Sequence, residues 1–154
     1  MRLCVVIVEE EPAMRQFLST VCARRDYEVL TFSDPGLCPL YISPPGPCPR
    51  GTVCADHLLV DLLMPEVDGL DFAEGLLAQG CPAPQIALMS GAWPPAAHAR
   101  AARLGCCLFT KPFAVAELLA WFDTAEAQVA PTRALLEWQA HGWRLEPPAP
   151  GDRG

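Results

Sequence analysis

Short continuous apolar runs alternate with helical periodicity along most of this chain. Leu3 to Val8 is apolar and rich in β-branched residues, the pattern of a central parallel strand covered on both faces. It runs into Glu9-Glu10-Glu11. Pro12 then suits the first turn of a helix whose apolar face is Met14, Phe17, Leu18, Val21 and Cys22. Glu28 to Phe32 reads as a second strand. Leu58 to Val60 reads as a third, fully buried and ending on Asp61; Met64-Pro65 stops it, and Asp68-Gly69 supplies turn chemistry. Leu70, Phe72, Ala73, Leu76 and Leu77 then mark a helix that stops at Gly80. Gln85 to Met89 is a fourth strand with Ser90-Gly91 at its tip. A short Ala-rich helix is expected around 96–104, a fifth strand from Cys106 to Thr110 ends at Lys111-Pro112, and a last helix over 115–127 turns Leu118, Leu119 and Phe122 inward.

The pattern breaks between Ser33 and Ala55, where Pro35, Pro39, Pro44, Pro45, Pro47 and Pro49 forbid a long regular helix. Strands that otherwise alternate with helices imply a parallel sheet covered on both faces. The expected fold is therefore α/β: a flavodoxin-like, doubly wound, five-stranded parallel sheet of order 2-1-3-4-5, with an irregular Pro-rich segment between strands 2 and 3. Residues 1–127 form the expected domain, and 128–154 a short, partly disordered C-terminal extension.

Composition narrows the function class. The 154 residues fit one domain plus an appendage, and 51% hydrophobic residues suffice for a packed core. A net charge of -7 with no Lys/Arg cluster argues against nucleic acid or an anionic membrane surface as a partner. No apolar run is long enough to span a bilayer and no signal-peptide pattern opens the chain, so a cytoplasmic location is expected. The eight cysteines show no C-x-x-C pair and read mostly as small buried apolar side chains. Cys38, Cys48 and Cys54 share the Pro-rich segment and leave a metal or disulfide open there. Lys111 is the sole lysine.

In an open α/β sheet, ligands sit in the crevice at the carboxyl ends of the strands. That crevice would collect Glu9 and Glu10 from strand 1, Asp61 from strand 3, Ser90 from strand 4 and Lys111 from strand 5. Crowded carboxylates repel and raise one another's pKa unless a cation sits among them. Mg²⁺, which bridges one or two carboxylates to phosphate oxygens, resolves that conflict. Asp61 is then the candidate nucleophile for an aspartyl phosphate, with the Ser90 hydroxyl and the Lys111 ammonium holding the remaining phosphoryl oxygens.

Four markers in order, Val5-Val6-Ile7-Val8-Glu9-Glu10-Glu11-Pro12, Asp61-Leu62-Leu63-Met64-Pro65-Glu66-Val67-Asp68-Gly69, Met89-Ser90-Gly91 and Thr110-Lys111-Pro112-Phe113, resemble the receiver domain of two-component response regulators over about residues 2–127. The resemblance implies that Asp61 accepts a phosphoryl group from a histidine kinase or phosphotransfer protein. It implies that Glu10, Asp61 and the Leu63 carbonyl hold Mg²⁺, that Glu9 assists through water, and that the Lys111-Pro112 bond is cis. Such a domain is a signalling phosphoacceptor that assists its own phosphorylation and dephosphorylation, not a conventional enzyme.

Several positions depart from the family pattern. The acidic pair usually includes an aspartate, whereas Glu9 and Glu10 are each a methylene longer. The switch aromatic, three residues before the lysine, is Leu108; a shifted strand would give Phe109 part of that role. Leu63 and Ala92 occupy two positions that set phosphate lifetime in such sites, and neither can orient water, so slow self-dephosphorylation is expected. Leu63 also stands where an aspartyl-phosphate hydrolase would carry its second acid. His57, His98 and His141 are scattered and receive no catalytic role. The segment from Pro131 is too short for an effector domain, so output through an unknown downstream protein is expected. Leu135, Leu136, Trp138, Trp143 and Leu145 either pack back on the domain or dock a dimer mate or partner. The expected function is a single-domain response regulator; the alternative is a pseudo-receiver that binds proteins without phosphorylation.

Overall fold

The computed structural model describes residues 3–34, 55–64, 67–78 and 85–141, with side chains through residue 128. The Pro-rich segment with Cys38, Cys48 and Cys54, and the end of the C-terminal extension, lie outside the described residues. In chain order the elements are β1 (Cys4–Val8), α1 (Pro12–Arg24), β2 (Glu28–Phe32), β3 (His57–Asp61), α2 (Gly69–Ala78), β4 (Gln85–Ser90), α3 (Ala97–Leu104), β5 (Cys107–Thr110) and α4 (Val115–His141).

The five strands form one parallel sheet in the order β2-β1-β3-β4-β5. This is the expected fold. Side chains alternate along each strand and feed two cores. Val6, Val8, Leu58, Val60, Ile86 and Leu88 pack under α2 and α3, against Leu70, Phe72, Leu76, Ala97 and Ala101. Val5, Ile7, Leu59, Ala87, Met89 and Phe109 pack under α1 and α4, against Leu18, Cys22, Leu118 and Phe122. Both faces of the central strands are thus dry, which explains their unbroken apolar runs.

Local chemistry sets the helix ends. Pro12 takes the first helical position of α1, where its missing N–H costs nothing. The stripe expected on α1 buries Leu18 and Cys22, while Phe17 stays 38% exposed. The Asp68 carboxylate caps α2 by accepting the Asp71 N–H at 2.8 Å. α3 ends on Gly105 at φ 73°, a left-handed position suited to glycine, from which the Cys106 N–H returns to the Ala101 carbonyl at 2.9 Å. The final helix departs from the expected 115–127 and continues to His141. Pro131 removes its own N–H from the ladder and crowds the carbonyl four residues back, yet the Ala-, Leu-, Glu- and Gln-containing stretch after it favours helix.

At the edge of the α1/α4 face, Arg25 ties the end of α1 to α4. Its guanidinium hydrogen-bonds Tyr27 and Glu126, each at 2.9 Å, pairs with Asp123, and lies over the Tyr27 and Phe122 rings. Among the described residues the thiols of Cys22, Cys106 and Cys107 are free; burial pushes Cys22 up to about 12 and Cys106 to about 11, as inert packing thiols require. No described helix is long and apolar enough to cross a membrane.

His57 opens β3 and is wholly buried. Its ring lies 5.4 Å from Tyr27, 5.2 Å from Phe122 and 5.5 Å from Trp121, and neither nitrogen has a hydrogen-bond partner. The imidazole is therefore kept neutral. Burial lowers its pKa from 6.5 to about 4, against the opposing charges of Asp56 and Glu126 and with a smaller push from Arg25. Below pH 6.5 an unfolded chain takes up a proton that the fold refuses, so the His57 contribution is complete above 6.5 and is lost as pH falls toward 4. That loss is on the order of 3 kcal/mol across the window. Urea denaturation from pH 7 to 4 should show stability falling more steeply for the native sequence than for His57→Leu; parallel curves would contradict the buried-neutral assignment.

Candidate functional site

The carboxyl ends of β1, β3, β4 and β5 meet at one edge of the sheet, where Glu9 and Glu10, Asp61, Ser90 and Lys111 lie. Two hydrogen bonds hold the backbone at Leu62, directly after Asp61. The Gly69 N–H donates to the Leu62 carbonyl at 2.8 Å, and the Leu62 N–H donates to Met89 of β4 at 2.8 Å. A Cβ on Gly69 would stand 2.7 Å from the Asp61 carbonyl oxygen, so the turn that returns the chain from β3 into α2 needs glycine. The Leu63 backbone N–H also hydrogen-bonds the Asp61 carboxylate.

Glu9, Glu10, Glu11, Pro12, Asp61 and Lys111 line an open cleft of about 400 Å³. Lys111 reaches it from just beyond β5, its N–H bonded to the Ser90 carbonyl at 2.8 Å and its peptide to Pro112 cis, as the family resemblance implied. The ammonium donates to Glu9 Oε2 at 2.9 Å and lies 3.5 Å from Asp61 Oδ2. Glu9 is 1% exposed, and its other carboxylate oxygen accepts the Glu11 N–H at 3.1 Å. Glu10 lines the same cleft but is exposed. Arg15, one turn into α1, fixes this loop by donating to the Glu9 carbonyl at 2.9 Å and the Glu10 carbonyl at 3.3 Å. Nothing in its spacing marks Arg15 as part of the site, since its partners are backbone carbonyls.

The electrostatics follow from two enclosed carboxylates sharing one ammonium. Burial and the Glu9 charge push Asp61 up to about 6, against the pull of Lys111. Burial would lower the Lys111 pKa, but the Glu9 hydrogen bond and the Asp61 charge outweigh it and leave it raised. One carboxylate of the pair is thus left without a full counter-charge. Hard oxygen donors suit Mg²⁺, which needs one or two carboxylates, a carbonyl and waters. Among the described residues no three His, Cys, Asp or Glu side chains converge as a group that could hold a metal ion.

Ser90 is buried beside the cleft but does not face into it. Its hydroxyl donates to the Ala92 carbonyl at 2.6 Å and accepts the Ala92 N–H at 3.2 Å, a closed turn within its own loop. The next residue, Trp93, donates its indole N–H to the Thr110 hydroxyl at 3.0 Å, linking the β4–α3 loop to the tip of β5. The strand register pairs Leu88 with Leu108, Met89 with Phe109 and Ser90 with Thr110. Leu108 therefore packs on the α2/α3 face with Trp93 and Leu104, whereas Phe109 lies on the opposite face against Phe113 and Trp121. This corrects the expectation of a shifted strand: Phe109 cannot take over from Leu108, because alternation sends it to the other side of the sheet.

The family model described as response regulator receiver domain matches residues 5–123. Solved structures share the fold at low identity. CheY4, a chemotaxis response regulator of Vibrio cholerae, is 20% identical with a TM-score of 0.65, covering 81% of this chain and 99% of that one. A CheY-like receiver domain from Methanospirillum hungatei is 14% identical with a TM-score of 0.67, covering 87% and 98%. The BeF3-activated DrrB receiver domain is 15% identical with a TM-score of 0.66, covering 82% and 99%. No curated protein matches the chain. With its sequence pattern matched over most of its length, and four polar strand tips gathered at the carboxyl edge of a 2-1-3-4-5 sheet, the chain belongs to the response regulator receiver domain family.

Proposed function

We propose that this receiver domain accepts a phosphoryl group on Asp61 from a histidine kinase or phosphotransfer protein and signals through contact with a downstream protein. The observation that carries the reading is the placement of a half-buried carboxylate at the tip of β3, 3.5 Å from the sole lysine of the chain, in a cleft open to solvent. One structural relative, DrrB, is a BeF3-activated receiver domain, and that kinship of fold favours the same chemistry here.

In the proposed step an Asp61 carboxylate oxygen attacks phosphorus, the bond from phosphorus to the donor imidazole nitrogen breaks, and a mixed anhydride forms. Lys111 offers its ammonium to the negative phosphoryl oxygens. Ser90 does so only after its hydroxyl leaves the Ala92 carbonyl. Glu10, Asp61 and the Leu63 carbonyl would hold Mg²⁺, which when bound neutralises phosphoryl charge. The protein would act in the cytoplasm, as a single signalling domain or as a homodimer.

A second reading has an observation of its own. Lys111 is closer to Glu9 than to Asp61, and the Ser90 hydroxyl is satisfied locally, an arrangement that also suits a phosphorylation-independent binding module. Incubation with acetyl phosphate and Mg²⁺ separates the two by intact mass. The receiver reading expects a gain of one phosphoryl group that Asp61→Asn abolishes; an unchanged mass in the native sequence would favour the binding module. Once labelled, the protein should keep its phosphoryl group for minutes or longer, because Leu63 and Ala92 offer no side-chain group to orient attacking water. A half-life of seconds would contradict that role for the two apolar positions.

A further inference from the structure

Two of the four most exposed large apolar side chains among the described residues stand together, away from the Asp61 cleft. Phe17 on α1 and Val115 on α4 are each 38% exposed. With Val21 and Leu119 they form the apolar walls of a groove of about 500 Å³ between the two helices, and Thr20 and Arg24 complete its α1 side. This groove shares no residue with the Asp61 cleft. The exposed positions of α1, namely Ala13, Gln16, Phe17, Thr20, Ala23 and Arg24, follow the three-four spacing of one helical face. Most are small or uncharged, so a second helix can approach closely. Only the ends carry charge. Both helices start from the carboxyl edge of the sheet, α1 after β1 and α4 after β5. Glu11 leads into α1 and Glu117 stands in the first turn of α4, which makes that end of the groove acidic. Arg24 closes α1 at the other end, about 20 Å away at 1.5 Å per helical residue. Its neighbour Arg25 is already paired with Asp123 and Glu126, whereas Arg24 is exposed.

We propose that this groove is the face on which two copies of the chain pair, their α1 helices antiparallel about a two-fold axis that passes near Phe17. A two-fold contact sets a surface against its own inverted copy, so the surface must be complementary to itself. This one is: inversion lays the apolar centre on the apolar centre and Arg24 of each copy on Glu11 of the other. A different protein would impose no such symmetry of charge on the two ends. The net charge of -7 makes copies repel one another at long range. The two Arg24–Glu11 pairs oppose that repulsion locally and fix the direction of the helices, while burial of Phe17 and Val115 supplies the attraction. One helix face and a groove bury less than the roughly 1,600 Å² of a standard interface, so the dimer is weak and forms only as concentration rises. The inference specifies the homodimer of the reading above and holds whether or not Asp61 carries a phosphoryl group.

Sedimentation velocity of the full chain between about 5 and about 500 µM should show monomer passing into dimer. Phe17→Asp, Arg24→Glu and Glu11→Arg should each weaken the dimer by about tenfold or more. An equimolar mixture of Arg24→Glu and Glu11→Arg should pair again, because antiparallel helices then join opposite charges at both ends; the recovery also shows that both variants are folded. A native chain that stays monomeric throughout overturns the proposal and leaves the groove to another protein. A dimer that Phe17→Asp leaves intact, as pairing through the segment beyond His141 would give, overturns it too, and so does a mixture that fails to pair. Failure of the phosphoacceptor reading is separate, since it is read from the mass gained with acetyl phosphate, which Phe17→Asp should leave at the native level.

Discussion

Two carboxylates enclosed at the ends of adjacent central strands, Glu9 on β1 and Asp61 on β3, share a single ammonium from Lys111. The electrostatics of the cleft turn on that charge balance. A lone buried carboxylate would be driven toward its neutral form by desolvation, and Asp61 is indeed pushed up to about 6 by burial and by Glu9. Lys111 restrains that push without cancelling it. The site is therefore left with an excess of negative charge, and the proposed cation and phosphoryl chemistry rest on that excess.

The rest of the fold holds this trio together. Parallel strands buried on both faces deliver their tips in register, so that residues far apart in the chain meet within hydrogen-bond reach. Close packing then fixes each tip: Gly69 admits the return of the chain against the Asp61 carbonyl, the Ser90 carbonyl anchors the Lys111 N–H, and Arg15 secures the loop that carries both acids. At the opposite end of the strands, His57 lies neutral among Tyr27, Trp121 and Phe122, well away from the reacting groups. It serves as a flat packing ring. The cleft and the His57 cage thus lie at opposite ends of the sheet.

Much of this was legible in the sequence, for particular reasons. Unbroken apolar runs at residues 3–8, 58–60 and 86–89 announce strands covered on both sides, and polar residues placed at the ends of such runs announce the crevice. The strand order and the membership of Glu9, Glu10, Asp61 and Lys111 in one cleft follow from that pattern. Which acid takes the lysine does not, because it depends on side-chain reach and burial that spacing cannot express. The closed Ser90–Ala92 turn and the Trp93–Thr110 bond are hidden for the same reason, as each depends on the path of a loop. α4 runs past the expected 115–127 to His141, because good helix formers flank Pro131 and carry the helix through it. His57 opens β3, and its cage is hidden as well, being built from two remote segments of chain, at Tyr27 and at Trp121-Phe122.

The central claim is that Asp61, and no other carboxylate in this crowded cleft, forms the acyl phosphate. Borohydride trapping addresses it directly, since hydride reduces an acyl phosphate to the alcohol with loss of phosphate and leaves homoserine where aspartate stood. After treatment with acetyl phosphate, Mg²⁺ and borohydride, peptide mapping should find homoserine at position 61 and unaltered Glu9 and Glu10. Reduction at either glutamate, or unaltered aspartate at position 61 in protein shown to carry phosphoryl, would contradict the account.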